Sequence, residues 1–234
     1  MNEHISSAYD RDLENIQALI MKMGGLVEHA IIEGASALEA RDIERAEVVR
    51  KADKVIDALE EQINEAAART IALRAPVSKD LRILLSVLKL ASSLERVGDY
   101  AKNMAKRTPI LTEMAQINGT DAALRRMSKE VQAMLSDVLD AYVRADVVLA
   151  ENVRQRDLDV DQMYNALFRE FLTFMMEDPR NITACMHMHF IAKNIERMGD
   201  LVTNMAEQVI YMVTGEMPDE DRPKMSSTAT QSQA

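Results

Sequence analysis

Tryptophan is absent from this chain, and aromatic residues, glycine, proline and cysteine are all scarce. Aromatic residues make up 4% of the 234 positions, and there are 7 glycines, 5 prolines and one cysteine. Such scarcity, in a chain rich in Ala, Leu, Glu and Met, is typical of all-helical proteins. The lone Cys185 excludes an intrachain disulfide and favours a reducing compartment.

Basic residues are outnumbered by acidic ones, 28 to 38, which gives a net charge of -10. Nucleic-acid binding requires a basic face, so we expect no nucleic-acid partner. The first ten residues hold no apolar run, which predicts that there is no signal peptide. No stretch approaches about 18 uninterrupted apolar residues, the length of a transmembrane helix. We therefore expect a cytoplasmic protein that meets a membrane only through its partners.

Two parts of the chain repeat each other. Residues 95–105 read E-R-V-G-D-Y-A-K-N-M-A and residues 196–206 read E-R-M-G-D-L-V-T-N-M-A, with seven of eleven positions identical. Upstream, residues 42–57 match residues 146–161 at a constant offset of 104. This duplication predicts two similar halves and two pseudo-symmetric sites.

Helical spacing of apolar residues predicts six long helices, three in each half. They cover about residues 5–40, 42–73, 78–107, 121–145, 146–177 and 181–215. The residues expected to cap helix N-termini are Asp42, Ser78, Asp146 and Asn181.

Short connections between these helices predict an elongated all-α protein of two antiparallel three-helix bundles. The first bundle covers residues 1–107 and the second covers residues 121–215. Residues 108–120 contain Pro and Gly and form the expected linker. Residues 216–234 are rich in Pro, Ser, Thr and Gln, which predicts a disordered tail.

Acidic residues four positions apart share one face of each predicted helix. They form one row on the third helix and one on the sixth, and a further pair on the second and on the fifth. The rows are Glu95, Asp99 and Asn103, and Glu196, Asp200 and Asn204; the pairs are Asp53 and Asp57, and Asp157 and Asp161. Carboxylates at this spacing repel one another unless a positive charge lies between them, and a metal ion is a natural candidate.

A second interpretation of these rows needs no ligand. Charged residues opposite an apolar stripe usually form a solvated helix face. Arg96, Lys102 and Arg197 lie beside the acidic residues and would neutralise them as ordinary ion pairs. Both interpretations stay open at this point.

Other possible sites are weaker. Cys185 and His189 are four residues apart with His187 between them, but two ligands do not close a zinc site, so we expect them to pack in the core. The chain has no P-loop, no G-x-S-x-G and no ferritin-like E-x-x-H pair. An enzyme is therefore the least favoured class.

The duplicated string, with Arg96 and Asn103 in one copy and Arg197 and Asn204 in the other, resembles the PhoU family over nearly the whole chain. The resemblance implies a cytoplasmic, non-enzymatic negative regulator of the phosphate-starvation response and of phosphate uptake. Such a protein would be an adaptor between the ATPase subunit of a phosphate importer and a phosphate-sensing histidine kinase. We also expect a homodimer.

The resemblance further implies metal ions, such as iron, zinc or magnesium, at the acidic motifs. The implied ligands are Glu95, Asp99, Glu196 and Asp200, joined by Asp53, Asp57, Asp157 and Asp161. No anion site is visible in the sequence, so we expect that phosphate is not sensed directly. The alternative functions are a metal-buffering helical protein and a scaffold whose acidic residues only maintain solubility.

Overall fold

Seven α-helices and one 3₁₀ turn form the computed structural model, which describes residues 2–117 and 119–218. The helices are α1 (Asn2–Ala40), α2 (Ile43–Arg74), α3 (Lys79–Ala105), α4 (Thr108–Thr112), α5 (Thr120–Arg144), α6 (Val147–Glu177) and α7 (Ile182–Thr214), with the 3₁₀ turn at Pro179–Asn181. These residues contain no strand, which confirms the all-α prediction. The predicted disordered tail lies, from residue 219 onwards, outside the described residues.

Two of the four predicted N-caps form. The side chains of Asp42 and Asp146 each accept a hydrogen bond from the backbone N–H three residues ahead, at 2.9 and 3.0 Å. Ser78 and Asn181 directly precede α3 and α7, but neither side chain caps its helix. Ser78 has a backbone φ of 50°, and the Asn181 amide instead donates to the Phe174 carbonyl at 3.3 Å.

The predicted linker, residues 108–120, is partly helical. The helix α3 ends at Ala105, two residues earlier than expected, and α4 begins after a short turn. The second residue of α4 is proline, which favours the first turn of a helix. Arg41, at the end of α1, donates to the carbonyls of Leu111 and Met114, each at 2.6 Å. These bonds hold the segment against the first bundle.

The six long helices form two three-helix bundles, as predicted. The helices α1, α2 and α3 pack together, as do α5, α6 and α7. The bundles meet where α1 packs on α5 and α3 packs on α7, and their buried side chains form one continuous core. At 1.5 Å per residue, the 39 residues of α1 extend about 58 Å, so the molecule is elongated. Among the described residues, no helix combines the length and apolar character needed to cross a bilayer.

A glycine lies where α1 of the first bundle crosses α5 of the second. A Cβ placed on Gly24 of α1 would lie 2.4 Å from Leu139 Cδ1 of α5, so a side chain at this position would have to displace Leu139. A Cβ on the adjacent Gly25 would meet nothing within 4 Å. Gly24 is therefore a packing position, whereas Gly25 faces open space.

Candidate functional site

The acidic rows lie where the sequence placed them, opposite a buried stripe. On α3 the stripe contains Leu90, Leu94, Val97, Ala101 and Met104, all buried. Because the stripe faces the core, the acidic residues on the other side are left partly accessible. Each row lies against the acidic pair of the preceding helix, as the electrostatic coupling of Glu95 with Asp57 and of Glu196 with Asp161 shows.

The motif glycines bring these helices together. A Cβ on Gly98 would lie 3.2 Å from Ile56 Cδ1 of α2, and one on Gly199 would lie 3.2 Å from Val160 Cγ1 of α6. A Cβ on Gly199 would also lie 3.7 Å from Asp157 Oδ1. A larger residue would hold the helices apart. The glycine in each E-R-x-G-D string therefore sets the distance between its acidic row and the facing acidic pair.

In the first half, a lysine supplies the positive charge. Lys102 donates from Nζ to the carboxylate of Asp53 and, at 2.6 Å, to Asp99 Oδ1. Asp53 is only 5% exposed, whereas Asp57 one turn along α2 is exposed. The ion-pair interpretation is thus confirmed for Lys102, which ties α3 to α2 through the buried Asp53. We call Asp53, Asp57, Glu95 and Asp99 the first acidic cluster.

Glu95 is the most perturbed carboxyl group of this cluster. Burial, foremost, and then the negative charges of Asp99, Glu60 and Asp57 raise its pKa to about 7. A hydrogen bond with Asp99 adds to the rise. Glu95 therefore changes its protonation close to neutral pH, where an ordinary glutamate is fully ionised.

The second acidic cluster, formed by Asp157, Asp161, Glu196 and Asp200, is compensated differently. Lys193 Nζ donates to Glu196 Oε1 at 2.6 Å, while Glu196 Oε2 is buried without a hydrogen-bond partner. Burial, foremost, raises the pKa of Glu196; Lys193 opposes the rise, and Asp200 adds to it. The residue equivalent to Lys102 here is the buried Thr203. The carboxylates of the two clusters lie at equivalent positions of the repeat. The lysine that pairs with them lies at a different position in each half.

The motif arginines do not neutralise the acidic rows, contrary to the sequence interpretation. Arg197 instead lies over the ring of Tyr100 on α3, with its guanidinium carbon 6.0 Å from the ring centroid. Arg96 is exposed and lines a surface pocket together with Asn204 of α7. Asn103 Oδ1 accepts a hydrogen bond from Lys106 at 3.2 Å. These four motif positions therefore border the seam between α3 and α7.

Cys185 and His189 both pack against other side chains, but only Cys185 lies in the core, while His189 is half-buried. Cys185 is buried and free. The His189 ring lies 5.3 Å from the Phe168 ring and 6.0 Å from the Tyr164 ring, centroid to centroid. His187 Nδ1 accepts from Arg107 Nη1 at 3.0 Å.

The donor chemistry of the acidic clusters suits a hard divalent cation, since carboxylate oxygens are its preferred ligands. In the first cluster, however, Lys102 already bridges Asp53 and Asp99, so a metal ion would have to displace it. Within the described residues, no group of three or more His, Cys, Asp or Glu side chains is arranged to hold a metal ion. Metal binding therefore remains a prediction.

Two features of the clusters were missed by sequence reasoning. Lys193 has no counterpart in the first half, so the repeat comparison gives it no signal, although its place three residues before Glu196 is a helical ion-pair spacing. Gly98 and Gly199 do repeat, and a repeated glycine within a helix is the signal of a close helix crossing.

The two halves correspond to two matches with one family model. The model described as PhoU domain matches residues 20–108 and again residues 124–209. The chain belongs to the PhoU family. A PhoU homologue of Caulobacter vibrioides strain NA1000 / CB15N, described as a phosphate-specific transport system accessory protein, is 44% identical over 225 residues, 96% of this chain and 98% of that protein. Its counterpart in Rhizobium meliloti strain 1021 is 42% identical over 227 residues, 97% of this chain and 96% of that protein.

Solved PhoU structures share the fold. The crystal structure of PhoU from Pseudomonas aeruginosa matches with a TM-score of 0.86 and 37% identity, over 89% of this chain and 100% of that chain. The phosphate transport system regulatory protein PhoU from Streptococcus pneumoniae matches with a TM-score of 0.83 and 30% identity, over 90% and 99% of the two chains. A role in a phosphate transport system follows from these relationships.

Proposed function

We propose that this protein is a cytoplasmic negative regulator of the phosphate-starvation response and of phosphate uptake, acting as an adaptor. Its partners would be the ATPase subunit of a phosphate importer and a phosphate-sensing histidine kinase. The observation that supports this most is the similarity over 96% of the chain to a protein named as a phosphate-specific transport system accessory protein.

The unequal surfaces of the two halves support an adaptor with two different partners. In the second half, the large apolar side chains that α6 and α7 expose include Phe168, Leu172, Met176 and Phe190. The equivalent positions in the first half carry Asn64, Ala68, Ala72 and Lys89, and that half exposes large apolar side chains at other positions, such as Val48, Val55 and Leu73. Exposed apolar patches of this kind mark protein-protein contact sites. Similar halves with different surfaces would bind different proteins.

We further propose that the acidic clusters carry the regulatory signal and can bind a divalent or iron ion. Two observations support a response of the clusters to an added cation: Glu95 changes protonation near pH 7, and Glu196 keeps an oxygen without a hydrogen-bond partner. A cation there would order the helix pairs α2–α3 and α6–α7 rather than take part in a reaction.

A phosphate-starvation reporter, such as alkaline phosphatase, tests the regulatory role. In a strain lacking this protein and grown in abundant phosphate, we expect high reporter activity, restored to low activity by the intact gene. Replacing Glu95, Asp99, Glu196 and Asp200 together by alanine should fail to restore it, whereas the exposed Glu65→Ala should succeed. A reporter that stays low in the deletion strain would reject the regulatory role.

A binding experiment tests the adaptor mechanism separately. The affinity of the purified protein for the importer ATPase subunit, or for the kinase, should differ between extracts or buffers of high and low phosphate status. A signal can shift occupancy only if it changes the affinity for at least one partner. Equal affinities for both partners in both conditions would reject the adaptor mechanism even if the reporter responds.

A further inference from the structure

A surface pocket of about 410 Å³ lies at the end of α3, on its seam with α7. Its lining consists of Asn103, Lys106, Arg107, Ile110 and Asn194. Two of these side chains are cationic, two are amides and none is a carboxylate. In a chain with 38 acidic residues and a net charge of -10, a pocket lined in this way is unexpected.

The positive charge of Arg107 is not balanced by a nearby carboxylate. Its Nη1 donates to His187 Nδ1 at 3.0 Å, and its guanidinium carbon lies 4.7 Å from the centroid of the Phe190 ring. Its Nε is buried without a hydrogen-bond partner. Burial lowers the pKa of Arg107, and no carboxylate nearby opposes the effect. A desolvated guanidinium without a counter-charge is unfavourable unless an anion joins it.

Lys106 adds a second positive charge beside Arg107. Its Nζ donates only to Asn103 Oδ1, at 3.2 Å, and among the described residues it forms no ion pair. The amide groups of Asn103 and Asn194 provide further N–H donors at the rim. The pocket thus offers the guanidinium group of Arg107, the ammonium group of the exposed Lys106 and amide donors, which together suit a tetrahedral oxyanion.

The pseudo-symmetric pocket differs because its lining includes a carboxylate, that of Glu207. It lies on the same α3–α7 seam and is lined by residues that include Lys89, Arg96, Glu207 and Gln208. At the offset of 101 that relates α3 to α7, Glu207 and Gln208 occupy the positions of Lys106 and Arg107. The basic pair is therefore particular to one pocket and is not a consequence of the repeat.

We propose that the pocket formed by Lys106, Arg107 and Asn194 binds a phosphate-class oxyanion. The sequence led us to expect no anion site, because Asn194 lies far along the chain from Lys106 and Arg107 and only the packing of α3 on α7 brings them together. Occupancy would place a negative charge beside His187 and Phe190, at the edge of the exposed apolar surface of the second half. The proposal rests on the pocket alone and not on the adaptor role.

Isothermal titration calorimetry of the full-length protein with inorganic phosphate tests this site. We expect saturable binding that Arg107→Gln and Lys106→Gln each weaken at least about tenfold, since each removes a charge-assisted contact. Lys89→Gln, which removes a cation from the pseudo-symmetric pocket, should leave the affinity unchanged. Thermal unfolding of each variant verifies folding, and the exposed Lys106 keeps the test decisive if Arg107→Gln does not fold.

Two further titrations identify the source of the oxyanion. Sulfate and ATP are compared with phosphate under the same conditions. Binding of phosphate supports free phosphate as the ligand, while binding of ATP alone supports the phosphoryl groups of a nucleotide. The proposal is overturned if none of the three binds saturably, or if Lys89→Gln weakens binding as much as Lys106→Gln. Because no reporter or partner enters the assay, its failure is independent of any failure of the proposed function.

Discussion

The ammonium group of Lys102 on α3 donates a hydrogen bond to the buried carboxylate of Asp53 on α2. The Asp53 side chain is 6% exposed, so its charge depends on this one lysine rather than on water. We expect Lys102→Met to lower the free energy of unfolding by about 3 kcal/mol, because it leaves a buried charge unpaired. Urea denaturation at pH 7 measures the change.

Two variants control this prediction. Lys54→Met removes an exposed lysine from α2 and should change stability by less than about 0.5 kcal/mol. Adding Asp53→Asn to Lys102→Met should recover much of the loss, because the uncompensated charge is then gone. If Lys102→Met costs no more than Lys54→Met, Asp53 does not depend on Lys102.

The position of Lys102 also leads to a prediction about cation binding at the first acidic cluster. Its ammonium group lies between the carboxylates of Asp53 and Asp99 and would compete with a divalent cation for them. Lys102→Met should therefore raise the affinity of the protein for Mn²⁺ or Mg²⁺ by at least about tenfold, since the carboxylates remain and their competitor is removed. Calorimetric titration measures the affinity, and Lys54→Met is again the matched control.

Elemental analysis of untagged wild-type protein measures the number of metal ions per chain. Many ions per chain would favour metal buffering. Few ions per chain would agree with a cation that orders the acidic face. An Mn²⁺ affinity that is the same in wild type and in Lys102→Met would show that the first cluster does not hold the ion.

Glu95 predicts a pH dependence of stability. Its pKa is about 7 in the folded protein, against an ordinary value of 4.5, so the folded state holds this proton more tightly than the unfolded chain. Its contribution is therefore fully favourable below pH 4.5 and is lost as pH rises through 7. Glu95→Gln should be more stable than wild type above pH 7, with an advantage that shrinks towards pH 5.5.

Urea denaturation between pH 5.5 and 8 measures this effect. Glu65→Gln, an exposed carboxyl group on α2, is the matched control and should show a difference from wild type that varies little with pH. A constant difference between Glu95→Gln and wild type over this range would contradict the raised pKa that burial, foremost, and the neighbouring carboxylates give Glu95.

The adjacent glycines of α1 provide an internally controlled packing test. Gly25→Ala should stabilise the protein by about 0.5–1 kcal/mol, because alanine favours a helix and meets open space there. Gly24→Ala should be less stable than Gly25→Ala by about 2 kcal/mol, because its Cβ would overlap Leu139. Thermal or urea unfolding of the two variants measures the difference, and equal stability would show that Leu139 makes room for the added Cβ at little cost.

The sequence predicted the helices well because their signals are local. Asp42 and Asp146 cap by bonding to their own helices, and the apolar stripe from Leu90 to Met104 recurs at helical spacing. Ser78 failed as a cap because its backbone conformation, with φ of 50°, turns its side chain away from that role. The short helix α4 was missed because five residues carry too little periodicity.

The sequence predicted the positions of the acidic residues in the candidate site but not their ion-pair partners. Those partners depend on contacts between helices. The acidic residues share faces through spacing alone, which the sequence shows. The ion pair of Lys102 with Asp53 forms because α3 packs against α2. The contact of Arg197 with the Tyr100 ring forms because α3 packs against α7. The pocket at Arg107 likewise requires Asn194 from the other half of the chain.

Equivalent helices of the two halves pack on each other, α1 on α5 and α3 on α7. This is the self-complementary geometry of a twofold-symmetric dimer, here made within one polypeptide. Folding of the pair is consequently independent of protein concentration, unlike that of a dimer of single repeats. Covalent fusion also frees each copy from symmetry: a substitution no longer appears in both halves at once. Lys102 in one half and Lys193 in the other are the kind of divergence that only a fused pair can acquire.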